Sequence, residues 1–325
     1  MSRQRITPEP NFATTTPPLV LMKGDATPHD TTIDLRIMRL EEFLGAKALS
    51  LNSQKAYRQD LQTFLAWTNT SWASVTPRQV AQFKEHLLRG GKRGHALSDA
   101  TVSRVLGTLK NFYKWMQRNG YVTTDPTCAV EVPKLVEPEA QNLSLDEVKR
   151  ILEATAQTNL ETRNLALVAV LLHGLRAGEV SALNVSDYDG QRLHIRKAKA
   201  DSKGRVPLAK AGRDAVDLYL QWRKEDGDTL EPSSPLFLSH SRQNSGTRLS
   251  YGAIRKVIDQ ISECSGVKFH AHQFRHTFAT NLVMEGMNPY HVMTLTRHKS
   301  IASFRRYTRA ADQSAAEEEF RRFEE

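Results

Sequence analysis

His270-Ala271-His272-Gln273-Phe274-Arg275-His276-Thr277-Phe278-Ala279-Thr280 decides how the rest of the chain is read. The stretch predicts a helix over about 271–285. His272 and Arg275 stand three apart, so on a helix they share one face and can address the same small group. A lone pair of this kind is usually a surface pair or a satisfied polar group. Its weight comes from the stretches that accompany it.

Upstream lies Gly174-Leu175-Arg176-Ala177-Gly178-Glu179, which follows an apolar segment. Lys197-Ala198-Lys199-Ala200-Asp201-Ser202-Lys203-Gly204 joins two short β-prone segments near 193–196 and 205–208. Downstream, Leu295-Thr296-Arg297-His298-Lys299-Ser300 leads to Tyr307, nine residues after His298. Arg176, Arg275 and a lysine supply the cations that would be needed to hold a phosphate and its extra transition-state charge. Two guanidiniums can bridge the non-bridging oxygens bidentately, which a single lysine cannot match. A tyrosine hydroxyl is a poor nucleophile at neutral pH and needs positive surroundings or a nearby base. No Asp, Glu and His cluster has metal-ligand spacing, so a site without a metal is the more economical reading. Each residue also has a plainer reading. Arg176 fits an ordinary cation at a helix C-terminus, and Tyr307 a packed tyrosine with a polar tip. Cys128 and Cys264 read as buried thiols.

Working outward, helices are predicted near 210–224, 250–264, 288–297 and 300–309, with a further one at 312–323. Ser144-Leu145-Asp146-Glu147 forms a capping box ahead of Val148, Ile151 and Leu152, and an apolar helix follows at about 161–174. Before residue 125 the periodicity gives four helices: 34–46, 50–68, one starting at Thr76-Pro77, and one from Ser98 to Gly120. Arg89-Gly90-Gly91-Lys92-Arg93-Gly94 between the last two reads as a solvated basic loop. Prolines at 126, 133 and 138 disfavour helix and predict an extended linker over 126–142. The expected organisation is therefore a flexible arm at 1–33, a helical domain at 34–125, the linker, a second domain at 143–310 and an acidic tail helix at 311–325.

The chain has 325 residues, two cysteines and a net charge of +9. Its hydrophobic content of 39% allows a buried core, and no apolar run is long enough to span a bilayer. The N-terminus lacks the apolar region of a signal peptide, and two cysteines exclude a disulfide scaffold. These features predict a cytoplasmic protein. Residues 34–136 carry a net +7, residues 137–310 a net +6 and the tail a net −4. A polyanionic partner touching both central blocks is expected.

Arg176 in its Gly-Leu-Arg-x-x-Glu setting, His272-x-x-Arg275-His276-Thr277-Phe278-Ala279-Thr280, and His298 nine residues before Tyr307 jointly resemble the tyrosine recombinase, or phage integrase, family. Ser53-Gln54-Lys55-Ala56-Tyr57-Arg58-Gln59-Asp60-Leu61, with Phe64, Leu65 and Trp67, is similar to that family's helical core-binding domain. The resemblance implies a mainly α protein. An all-α SAM-like core-binding domain would precede a mostly α catalytic domain with a small antiparallel sheet, the DNA breaking-rejoining enzyme fold. It implies site-specific recombination of double-stranded DNA without ATP, cofactor or metal. Tyr307 would form a 3′-phosphotyrosyl link, Arg176 and Arg275 would clamp the phosphate, and His298 would add a hydrogen bond. His272 would take the tyrosine proton. A lysine, by spacing Lys199 with Lys197 and Lys203 as competitors, would protonate the leaving 5′-oxygen. Paired half-sites, a dimer and a synaptic tetramer follow from the same resemblance, with room for accessory proteins. Its rivals are a type IB topoisomerase-like relaxing activity and a catalytically silent DNA-binding protein. Two departures stand out: Gly178 where the family often has Ser, and Thr296-Arg297-His298 in place of Leu-Gly-His.

Overall fold

The computed structural model describes residues 34–90, 96–134, 142–196, 203–298 and 300–323, excepting the side chains of 303, 306–311, 314 and 315. The expectations for the arm at 1–33, for Lys199 and Lys197, and for much of the basic loop and the linker fall outside these residues. The chain divides into two compact units, 1–136 and 137–325.

The first unit is built from α1 (Leu35–Gly45), α2 (Leu51–Trp67), α3 (Pro77–Leu88) and α4 (Asp99–Arg118). Each start is set by an oxygen that takes up an unpaired backbone N–H of the first turn. The side chains of Asp34, Ser50, Thr76 and Ser98 accept from the backbone N–H groups of Arg36, Ser53, Gln79 and Thr101. The apolar faces close on Phe43, Phe64, Trp72, Phe83, Phe112 and Tyr113, all buried. Phe64 and Phe83 meet edge to face with centroids 4.9 Å apart, as do Phe43 and Phe112 at 5.2 Å. Asp60 is buried beneath this core, where Thr108 donates to it at 2.8 Å and Arg104 pairs with it.

The second unit comprises α5 (Leu145–Ala156), α6 (Glu161–Leu172), α7 (Ala177–Ala182), β1 (Arg192–Ile195), β2 (Gly204–Pro207), α8 (Lys210–Glu225), α9 (Tyr251–Ser265), α10 (Ala271–Met284), α11 (Pro289–Thr296) and α12 (Ile301–Arg322). The predicted capping box is present at α5: Ser144 accepts from the Glu147 N–H, and the Glu147 carboxylate accepts from that of Ser144. The helix α6 is apolar on most sides because it is the buried centre, with Leu167, Val168 and Leu171 against Val216, Tyr219 and Phe274. The strands β1 and β2 pair antiparallel, Leu193 opposite Val206 and Ile195 opposite Gly204, and turn Leu193, Ile195 and Val206 to the core.

Three expectations are corrected. The strands start one residue earlier than predicted, and the short α7 was not anticipated. The helices expected at 300–309 and 312–323 are one continuous helix, α12. Cys128 and Cys264 are exposed rather than buried. Cys264 lies off the α9 face that buries Ile254, Ile258 and Ile261, and Cys128 sits in the turn after Pro126.

Candidate active site

The first turn of the site is set by Gly174. Its φ of 79° is a left-handed conformation, and an added Cβ would come within 2.7 Å of the Phe278 ring on α10, so glycine is required there. This turn ends α6 and begins α7, making Arg176 the residue that precedes the first helical position. Glu179, three residues on, folds back. Its Oε2 accepts from the Arg176 backbone N–H at 2.9 Å, and its Oε1 from Arg176 Nη1 at 2.7 Å. Glu179 is buried yet keeps its pKa below the ordinary value. Burial works against ionisation, but the charge of Arg297 and the hydrogen bonds from Arg176 outweigh it.

Arg275 comes from α10 and is fully buried. Its Nη1 donates to the Gly174 carbonyl at 2.7 Å, its Nη2 donates to the Thr296 carbonyl, and Nη2 lies 3.4 Å from His298 Nε2. One guanidinium thereby joins the turn before Arg176 to the turn before His298, across 101 and 21 residues of chain. The helix α11 starts at Asn288, whose side chain accepts from the Tyr290 N–H, with Pro289 at the first position. It ends at Arg297, whose backbone is left-handed with φ 57° and ψ 45°. That turn presents His298, with its Nδ1 2.7 Å from Thr296 Oγ1. The Thr296 hydroxyl gives its single proton to the Val292 carbonyl at 2.7 Å, so Nδ1 of His298 is the donor and the neutral ring leaves Nε2 unprotonated.

The imidazoles are held neutral. The outer edge of His272 is open to solvent, yet partial burial of its ring, then the charges of Arg275 and Arg176, push its pKa down to about 4. His298 is pushed down to about 3 by burial and by the same two arginines. His276, whose ring meets that of His272 edge to face with centroids 4.8 Å apart, is pushed down to about 4, first by burial. A His272 that is neutral at physiological pH is able to accept a proton.

The structure brings Arg176, Arg275, His272 and His298 into one cationic cluster. Lys203 lies directly before β2, whereas Lys199 is outside the described residues. The backbone of Tyr307 lies in the second turn of α12, one turn beyond buried Phe304, and its side chain is outside them too. Phe304 packs with Ala279 of α10 and Val292 of α11, which docks the start of α12 against the helices that carry His272, Arg275 and His298. Sequence reasoning assigned no role to Glu179. Its spacing of three from Arg176 was the available signal. Among the described residues no group of three His, Cys, Asp or Glu could hold a metal ion. The cluster has the charge and donor set to grip one tetrahedral oxyanion.

Comparison with known proteins places this geometry. Residues 141–314 match the model of the phage integrase family, and residues 38–120 match that of the phage integrase N-terminal SAM-like domain. A tyrosine recombinase XerC from Oceanobacillus iheyensis is 31% identical over 295 residues, covering 85% of this chain and 92% of the relative. A XerC from Vibrio atlanticus is 28% identical, covering 86% and 90%, and a XerD from Listeria innocua is 28% identical, covering 83% and 91%. Among solved structures, the lambda integrase dimer bound to a COC′ core site shares the fold at a TM-score of 0.68 and 19% identity, covering 84% of this chain and 94% of that one. The chain belongs to the phage integrase family, the tyrosine site-specific recombinases.

Proposed function

We propose that this recombinase cuts and rejoins duplex DNA through a covalent 3′-phosphotyrosyl intermediate. The observation that carries the reading is buried Arg275, which ties together the Arg176 and His298 turns in one cationic cluster. Arg176 and Arg275 hold the non-bridging oxygens of the scissile phosphodiester and the charge that develops on them. Neutral His272 takes the proton from the Tyr307 hydroxyl as its oxygen attacks phosphorus. The bond from phosphorus to the 5′-oxygen breaks, and a hairpin lysine, Lys199 by its spacing, protonates that oxygen. His298 adds a hydrogen bond to the phosphate once the incoming anion favours its protonated form, since its ring is neutral in the free protein. The phosphotyrosine conserves the energy of the broken bond, so attack by another strand's 5′-hydroxyl reseals DNA without ATP. No step in this sequence requires a metal.

The proposed division of labour sets a core-binding domain at 34–125 and, after a linker, a catalytic domain that begins at 143 and runs into the continuous helix α12. Both central blocks are basic, so backbone contacts dominate affinity and make it salt-dependent. Assembly as a dimer on paired half-sites and a tetramer at synapsis is supported by lambda integrase, solved as a dimer on a core site and as a tetramer on a Holliday junction. We place the protein in the cytoplasm. No helix among the described residues is long and apolar enough to cross a membrane.

The test is covalent trapping on nicked suicide substrates drawn from the gene's flanking DNA. Wild type is expected to form a metal-independent, SDS-resistant adduct that Tyr307→Phe does not form. No adduct on a tightly bound site overturns the reading in favour of a silent DNA-binding protein. An adduct that persists in Tyr307→Phe overturns the choice of nucleophile.

A further inference from the structure

Arg297 sits among the residues of this site, and the chemistry above leaves it without a role. Helices that end in a left-handed residue usually place glycine there, because a Cβ disfavours the conformation. Here an arginine occupies it at φ 57°, and its charge is buried as well. A buried charge is tolerated only with a well-placed partner. That partner is Glu179, 118 residues away: Arg297 Nη2 donates to Glu179 Oε2 at 2.6 Å, and both side chains are only 3% exposed. Nη1 of Arg297 donates to the Leu295 carbonyl at 2.8 Å. Its stem packs on Gly204 at the start of β2, where an added Cβ would come within 3.0 Å of Arg297 Cδ. A single side chain therefore touches the turn that presents His298, the carboxylate that holds Arg176, and the strand that follows Lys203.

The charge arithmetic shows what this contact changes. A carboxylate paired with Arg176 alone would cancel the charge that Arg176 brings to an anion. With Arg176 on Oε1 and Arg297 on Oε2, one carboxylate is shared between two guanidiniums and the group stays net positive. We propose that Arg297 is a positioning residue for recombination. By engaging Glu179 it keeps the charge of Arg176 available to the scissile phosphate, and it locks the His298 turn against α7 and β2. The inference rests on reading this cluster as the recombination centre.

The experiment compares full-length wild type, Arg297→Gly and Arg297→Lys in single-turnover adduct formation on the suicide substrate, together with duplex affinity and thermal unfolding. Glycine adopts positive φ freely, so the first variant removes the side chain without straining the turn. Arg297→Gly is expected to keep duplex affinity, which many backbone contacts share, while cleavage slows about 10–100-fold, the usual effect of losing a group that orients a functional one. Arg297→Lys is expected to recover part of the rate, since it restores a charge to Glu179. The pKa of the His298 ring is expected to rise in Arg297→Gly, because the Arg297 charge is one of those holding that ring neutral. Unchanged cleavage in Arg297→Gly overturns the proposal. So does a parallel loss of affinity, stability and rate that Arg297→Lys does not relieve, which would make Arg297 a structural prop. Should the glycine variant not fold, Arg297→Gln takes its place under the same criteria. NMR titration of the His298 ring in DNA-free Arg297→Gly decides independently of cleavage: an upward shift supports the inference and no shift overturns it. Absence of an adduct in wild type breaks the recombination reading instead.

Discussion

The two units of this protein are stabilised in opposite styles. Beneath α2 and α4 the interior is aromatic, with Phe43, Phe64, Trp72, Phe83, Phe112 and Tyr113 in mutual contact, and among the described residues Asp60 is its one buried charge. Beneath α6 and α10 the interior is mostly aliphatic but crossed by charge: Arg163, Glu179, Asp187, Arg223, Arg275 and Arg297 are all buried. Burying an aromatic ring stabilises directly, whereas burying an ion costs desolvation that only good partners offset. The first unit is thus arranged to hold its shape. The second keeps cations dehydrated and in place before any anion arrives, which strengthens their grip on one.

The sharpest way to break this contrast is Arg275→Ala. Losing this guanidinium strips the Gly174 and Thr296 carbonyls of their donor and the phosphate of its clamp. Adduct formation in single-turnover assays is expected to fall about 10²–10³-fold or more, the effect of deleting one preorganised donor. Arg275→Lys, a point charge without the fork, is expected to restore little of it. A near wild-type rate in either variant would show that the buried charge of the second unit is merely structural.

Next in size is Phe112→Ala at the centre of the aromatic core, expected to cost about 3–5 kcal/mol in denaturant unfolding of the full chain. The transition of the first unit should move while that of the second stays. A single transition moving as a whole would show that the units do not unfold separately.

Acid separates them in the other direction. His272 and His276 are pushed down to about 4 and His298 to about 3, from an ordinary 6.5. The unfolded chain binds these protons as pH falls below 6.5, while the folded chain refuses them until near 4 or 3, so stability must fall through that window. This part of the stability of the second unit is complete above pH 6.5. Unfolding midpoints measured across the window should decline, and Tyr307→Phe, which leaves the three rings in place, should decline equally. A flat profile would mean that these rings are protonated in the fold.

The smallest effect is expected at Ser98→Ala, which removes the cap of α4 and should cost about 1 kcal/mol in the transition of the first unit alone.

Local chemistry was legible and long-range pairing was not. Thr76, Ser98 and Ser144 announced helix starts that the structure reproduces within a residue, because a cap is a contact between near neighbours. With six residues, α7 is too short to show a period, and the four-residue strands carry too little alternation to fix their ends. The boundary expected near 310 does not exist, since neither proline nor glycine interrupts 301–322. In the site, Arg176, His272, Arg275 and His298 were singled out by the resemblance to the recombinase family. The union of Glu179 with Arg297 could not be read from the sequence, because it joins residues 118 apart through a turn whose shape only the fold reveals. The sequence marked Arg297 as unusual, and the structure supplies its partner.

The exposed cysteines have a practical consequence. Cys128 and Cys264 are the only thiols in the chain, one in each unit, and both face solvent. Maleimide chemistry can therefore place a donor and an acceptor dye on the two units of the unmutated protein. The efficiency of energy transfer between them would report, in real time, whether the spacing of the dyes changes when the protein meets its substrate and again when it lets go.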